Sequence, residues 1–164
     1  MRRIAIGMTT MAVALCIASL SAQTKPNFSG KWVRDDAAAA GGAMMSGGGA
    51  GNGFGCGMTC TITQDATTLK VGRAQGDQTI TSTFKLDGTE SKNQGFGRGG
   101  TTEVITVAKW DGNKLTFTTN RDMQGGRTTF FQTISMEGPN MVVETSANMG
   151  QVAQRPQKVT YKKQ

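Results

Sequence analysis

The sequence predicts an all-β domain, and three observations support this. After residue 57, apolar and polar residues alternate with period two, as in 58–63 and 114–120. Threonine, valine and isoleucine dominate these runs and suit a pleated, half-buried surface. Short turn signals such as Asp87-Gly88 and Asp111-Gly112-Asn113 separate the runs. We therefore expect an antiparallel up-and-down meander.

Nine short strands are predicted, at about 30–35, 58–64, 68–74, 78–86, 101–110, 114–120, 127–136, 141–147 and 157–163. Closure into a barrel would remove the two exposed edges of such a sheet. The strands of an outer-membrane barrel also alternate between apolar and polar residues, but the short strands and the Thr- and Lys-rich outer face predicted here argue against such a barrel. The residues expected to point inward are Trp32, Ile62, Leu69, Val71, Ile80, Phe84, Leu86, Trp110, Leu115, Phe117, Ile134 and Tyr161.

The N-terminal residues 1–22 have the features of a secretory signal peptide. Arg2 and Arg3 precede an apolar run, and the small residues Ser21 and Ala22 offer a cleavage site. A membrane anchor and a lipoprotein attached at Cys16 are the alternatives. We expect an exported protein, periplasmic or extracellular, whose residues 23–164 form a single β-barrel domain.

Composition excludes several function classes. The chain has no histidine, so His-based triads and His-ligated zinc are ruled out. Loss of Arg2 and Arg3 would lower the net charge from +7 to +5, and the remaining basic residues are dispersed, which predicts no nucleic-acid partner. The glycine-rich run 95–100 precedes a strand instead of a helix, so it predicts no dinucleotide cofactor. No nucleophile with a base, no carboxylate pair and no metal site stand out, and we expect a non-enzymatic protein.

An Ala/Gly-rich segment at about 37–57 interrupts the pattern. It offers too little apolar area to offset its ordering entropy, which predicts a flexible insertion. The alternative is a portal or lid over the barrel mouth.

Cys56 and Cys60 are the two cysteines of the expected mature chain. In an exported protein such a pair predicts one disulfide. Free thiols are one alternative, and a Cu(I) site with Met44 and Met45 is another, because thiolates and thioethers are soft ligands.

The segment Asn27-Phe28-Ser29-Gly30-Lys31-Trp32 resembles the opening strand of the calycins, which include the lipocalins and fatty acid-binding proteins. The Lys-Trp-Asp-Gly turn at Lys109–Gly112 and the aromatic residue Tyr161 in the terminal strand follow in the order found in these families. The chain is also similar to small secreted bacterial proteins that open with Phe-Ser-Gly-x-Trp. The resemblance implies a lipocalin-like barrel of about 8–10 strands around an interior that accepts a small apolar ligand.

The resemblance also implies structural roles for Gly30, Trp32 and Tyr161. Trp32 would seal the closed end against a basic side chain from a late strand, with Arg155 or Lys158 as its partner. Two departures stand out. Val159 occupies the position of the arginine in the Arg-x-Tyr that holds a fatty acid carboxylate, and segment 37–57 replaces a helix pair.

We therefore expect an exported, non-enzymatic barrel that binds a small apolar or amphipathic ligand in the cell envelope. The alternative is an envelope structural or interaction protein whose barrel is filled by side chains. Neither the ligand nor the oligomeric state follows from the sequence.

Overall fold

A computed structural model describes residues 24–35, 54–97, 100–123, 126–149, 152–153 and 156–164. The strands are β1 (Gly30–Arg34), β2 (Thr59–Gln64), β3 (Thr68–Gln75), β4 (Gln78–Lys85), β5 (Asp87–Gly97), β6 (Gly100–Asp111), β7 (Lys114–Met123), β8 (Gly126–Glu137), β9 (Asn140–Met149), β10 (Val152–Ala153) and β11 (Gln157–Lys163).

Ten of these strands form one nearly closed antiparallel barrel. Their order is β4-β3-β2-β1-β11-β9-β8-β7-β6-β5, and the short β10 pairs only with β9. Strand β1 joins the two halves of the meander, because Trp32 pairs with Cys60 of β2 on one side and with Lys163 of β11 on the other. The predicted all-β, up-and-down barrel is confirmed.

The barrel closes between β4 and β5 through side chains. Ser91 Oγ accepts a hydrogen bond from the amide of Lys85 at 2.9 Å. Asn93 bonds to both backbone groups of Thr83, at 2.7 Å through Oδ1 and at 3.0 Å through Nδ2. Polar side chains of β5 thereby satisfy edge groups of β4 that a neighbouring strand would otherwise pair.

Strand β5 corrects the sequence analysis, which placed only a turn and a loop over this region. Most of its residues are glycine, asparagine, aspartate, glutamate or lysine, and these types are depleted in strands. Pairing with β6 along nearly its whole length overrides that weak propensity, with a register shift between Asp87 and Glu90.

The closed end of the barrel, here called the base, is covered by the N-terminal segment 24–29. Phe28 is fully buried and stacks on Trp110, with ring centroids 6.1 Å apart. Gln64 fixes the segment: its Oε1 accepts the Phe28 amide at 2.9 Å and its Nε2 donates to Pro26 O at 3.1 Å. Of the side chains predicted to point inward, Ile80 and Trp110 are only partly buried.

The end of the segment at 37–57 is corrected as well. Phe54, Gly55 and Cys56 are buried, and Phe54 and Cys56 belong to the hydrophobic core. The apolar side chains of Phe54 and Cys56 account for this burial. Residues 36–53 and the predicted signal peptide lie outside the described residues. Within the described ranges, no helix has the length and apolar character needed to cross a membrane.

The turn between β2 and β3 is organised by Asp65. Its carboxylate accepts hydrogen bonds from the hydroxyls and backbone amides of Thr67 and Thr68. These bonds hold the pKa of Asp65 well below its ordinary value of 3.8, and the bond from the Thr68 hydroxyl has the largest effect. The folded protein therefore favours the ionised carboxylate.

We expect this turn to contribute to acid sensitivity. Because the folded-state pKa is lowered, the stabilisation is complete above the ordinary value of 3.8 and is lost as pH falls below it toward the folded-state pKa. Thr68→Val should raise the pKa of Asp65 and reduce the loss of stability on acidification, measured by urea unfolding at a series of pH values. Thr63→Val removes an exposed hydroxyl from β2 and serves as the control. Equal acid sensitivity in Thr68→Val and the wild type would contradict the assignment.

Candidate functional site

The inner face of the barrel changes from apolar to polar with distance from the base along several strands. On five strands the first two inward positions from the base are apolar or aromatic and the third is polar. We call these third-position side chains the polar belt: Arg73, Thr106, Thr119, Gln132 and Thr145. Four of them are buried and Thr145 is half-buried.

Two hydrogen-bonded pairs organise the polar belt. The hydroxyls of Thr106 and Thr119 lie 2.9 Å apart across β6 and β7. The amide of Gln132 donates to Thr145 Oγ1 at 3.1 Å across β8 and β9. Buried polar groups require such partners, because an unsatisfied group costs about 1–3 kcal/mol.

Arg73 brings a positive charge into the polar belt. Leu69 and Val71 precede it on the inner face of β3, and its own exposure is 7%. Burial lowers the pKa of the guanidinium, which nevertheless stays protonated at any physiological pH. Arg34 on β1 is half-buried two residues after Trp32, and strand alternation places it on the same inner face.

Beyond the polar belt the inner face becomes apolar again and then opens. Val104, Phe130 and Ala147 are the next inward residues on β6, β8 and β9, and all three are buried. Thr102, the next inward-facing residue of β6 after Val104, is exposed. Beside it, between β5 and β6, lies a groove of about 240 Å³ that is lined mainly by the outward-facing Lys92, Gln94 and Glu103. Lys92 and Glu103 form an ion pair there at 3.2 Å.

Cys56 and Cys60 lie together near Tyr161 of β11. The structure joins their sulfurs, with Cα atoms 5.2 Å apart, and both residues are buried. The Tyr161 hydroxyl donates to Cys56 O at 2.7 Å and lies 3.0 Å from Gly57 O. Tyr161 therefore holds segment 54–57 against β11.

Trp32 lies in the base and is fully buried. Its Nε1 donates to Phe28 O at 2.8 Å, and the Lys163 ammonium lies 5.6 Å from its ring centroid. The cation on Trp32 is thus Lys163 and not Lys158, which instead pairs with Glu137 at 2.7 Å. Arg155 lies outside the described residues.

Gly30 allows the close approach of Lys163 to Trp32. Its φ is +144°, and a Cβ atom at this position would collide with Cε of Lys163. A larger residue would therefore be strained and would displace the lysine.

No family model matches this sequence, and no match is found among the curated proteins. Solved structures do match. The REP1-NXSQ fatty acid transporter aligns over 83% of this chain and 95% of its own, with a TM-score of 0.51 and 16% identity. A mutant of the fluorescent protein UnaG aligns over 84% and 96%, with a TM-score of 0.50 and 22% identity.

These likenesses establish the fold. It is an antiparallel β-barrel like that of the fatty acid transporter and of UnaG, and to this extent the barrel implied by the Phe-x-Gly-x-Trp opening is confirmed. At such identities they assign no ligand and no site residue to this chain.

Sequence reasoning missed the polar belt, although a signal for it was present. Inward positions recur every second residue of a strand. The inward positions next to Val71, Phe117 and Ile134, on the side away from the base, are Arg73, Thr119 and Gln132. Phe54 gave no such signal, because it stands among glycines outside any periodic run.

Proposed function

We propose that this barrel binds a small amphipathic molecule, with the ligand's polar group at the polar belt and its apolar part against Val104 and Phe130. The buried Arg73 is the observation that carries the proposal. A buried charge is expensive in an interior that serves only packing. An anionic or hydrogen-bonding ligand head is the kind of group that a guanidinium recognises. The fold shared with a fatty acid transporter is consistent with this proposal.

Arg73→Gln should weaken binding of the anionic aromatic probe 8-anilinonaphthalene-1-sulfonate. A hydrogen bond to a charged group contributes about 1.5–3 kcal/mol, which corresponds to a loss of about 10-fold or more in affinity. Fluorescence titration measures the affinity. Lys70→Gln removes an exposed cation from the outer face of the same strand and should leave the affinity within about twofold. Equal effects of the two variants would contradict a site at Arg73.

A second candidate is an envelope interaction protein whose barrel carries no ligand. The packing of the base favours it, because Trp32, Leu69, Leu115, Ile134 and Met141 have no exposed surface. Native mass spectrometry of the protein from its own host separates the two functions. A co-purifying small amphiphile supports the first, and a mass equal to the chain alone supports the second.

Export is a further part of the proposal. It rests on Arg2, Arg3 and the apolar run that follows them in residues 1–22. N-terminal sequencing of the mature protein should begin near Gln23. A chain that retains Arg2 and Arg3 in the cytoplasmic fraction would contradict export.

A further inference from the structure

Phe54 lies at the boundary between the base and the polar belt. Its ring contacts Phe117, with centroids 5.4 Å apart, and Phe117 contacts Phe84 edge-on at 5.1 Å. Its backbone amide donates to Gln132 Oε1 at 2.7 Å. One residue outside the barrel strands thus contacts the apolar base through its ring and the polar belt through its backbone.

Three connections hold Phe54 in this position. The Cys56–Cys60 disulfide ties its segment to β2. The Tyr161 hydroxyl donates to Cys56 O, which ties the segment to β11, and Gln132 ties it to β8. Because the segment that carries Phe54 is attached to three different strands, the Phe54 ring is held in a fixed position in the interior.

Below Phe54, the described side chains fill the interior and leave no room for a ligand. Phe84, Ala108 and Leu115 are completely buried, so no water-sized space borders them, and Phe54 itself is 1% exposed. Beyond the polar belt, the inward-facing Thr102 of β6 is exposed to solvent. A ligand tail can extend toward the base only if the Phe54 ring is absent or displaced.

We infer that Phe54 sets the depth of the binding site, so that only a compact apolar group is buried and the further methylenes of a long unbranched chain add no affinity. This inference rests on the proposed function. It names the ligand class as a short or ring-sized apolar group that carries an anionic or hydrogen-bonding head.

The test is competition of hexanoate, decanoate and tetradecanoate against the bound anilinonaphthalene probe, each below its micellar concentration. In the wild type the three should differ by less than about threefold, because methylenes beyond the first few stay in solvent and gain no burial. In Phe54→Ala the affinity should rise by about fourfold for each methylene that enters the space of the lost ring. Decanoate should then bind at least about 10-fold more tightly than hexanoate.

Two further variants complete the design. Phe131→Ala removes a phenylalanine from the exposed outer face of β8 and should keep the wild-type chain-length profile. Phe54→Leu keeps most of the apolar volume and should give an intermediate profile, which preserves the test if Phe54→Ala does not fold.

The outcomes are distinct. A wild type that already binds tetradecanoate much more tightly than hexanoate overturns the inference and leaves the proposed function intact. A flat profile in Phe54→Ala or, should that variant not fold, in Phe54→Leu overturns it as well. Failure of the wild type to bind the probe or any carboxylate overturns the proposed function itself.

Discussion

Replacing Trp32 by alanine is expected to lower the free energy of unfolding by about 3–5 kcal/mol, the range for truncating a fully buried large aromatic side chain. Trp32 has no exposed surface, and its position on β1 joins β2 to β11. The substitution would leave a void in the base and would orphan Phe28 O, which accepts the indole N–H.

Urea unfolding followed by far-ultraviolet circular dichroism measures this loss. Trp32→Phe keeps a smaller aromatic ring in the base and removes the hydrogen-bond donor, and should cost less than Trp32→Ala. Phe131→Ala is the matched control for aromatic truncation, since Phe131 is 46% exposed on the outer face of β8. A loss in Trp32→Ala no larger than in Phe131→Ala would show that the base does not depend on this ring.

Removal of the Cys56–Cys60 bridge by a double change to alanine is expected to cost about 2 kcal/mol. The chain-entropy estimate for so short a loop gives about that value, below the roughly 3 kcal/mol of a 15-residue loop. The bridge also anchors the segment that carries Phe54, so its loss should loosen the bond from the Phe54 amide to Gln132. Hydrogen exchange at the Phe54 amide should therefore accelerate more than in Phe131→Ala.

Thiol titration of the mature protein under denaturing conditions tests the bridge directly. We expect no reactive thiols before reduction and two after it. Two free thiols without reductant would refute the bridge. Copper retained by those thiols would support the Cu(I) alternative.

The strands were predictable where alternation and composition agreed. In β7, Leu115 and Phe117 face inward between threonines, as the period-two pattern requires. Strand β5 could not be found this way, because Ser91, Asn93 and Gly95 are its inward residues and none is hydrophobic. Its strand conformation comes from pairing with β6, a long-range interaction that local propensity does not contain.

The site was harder to predict than the fold for a related reason. Alternation distinguishes faces only when they differ in polarity, and at Thr118 and Thr119 they do not. Phe54 and the lysine on Trp32 depend on contacts between residues far apart in sequence. Lys163, Gly30 and Trp32 meet only because β11 pairs with β1.

The pairing of β1 with β11 also bears on how the chain folds. Trp32 and Lys163 are separated by most of the chain, and yet they are partners in register. Closing so long a loop adds little to the equilibrium cost, which grows only with the logarithm of loop length, but contacts of this separation slow folding. The hairpins from β5 to β9 join strands that follow one another in sequence and can form locally, whereas one edge of β1 has no partner until β11 docks on it. The ring therefore closes late in folding, and until then Trp32 lacks the strand on one side that completes its burial.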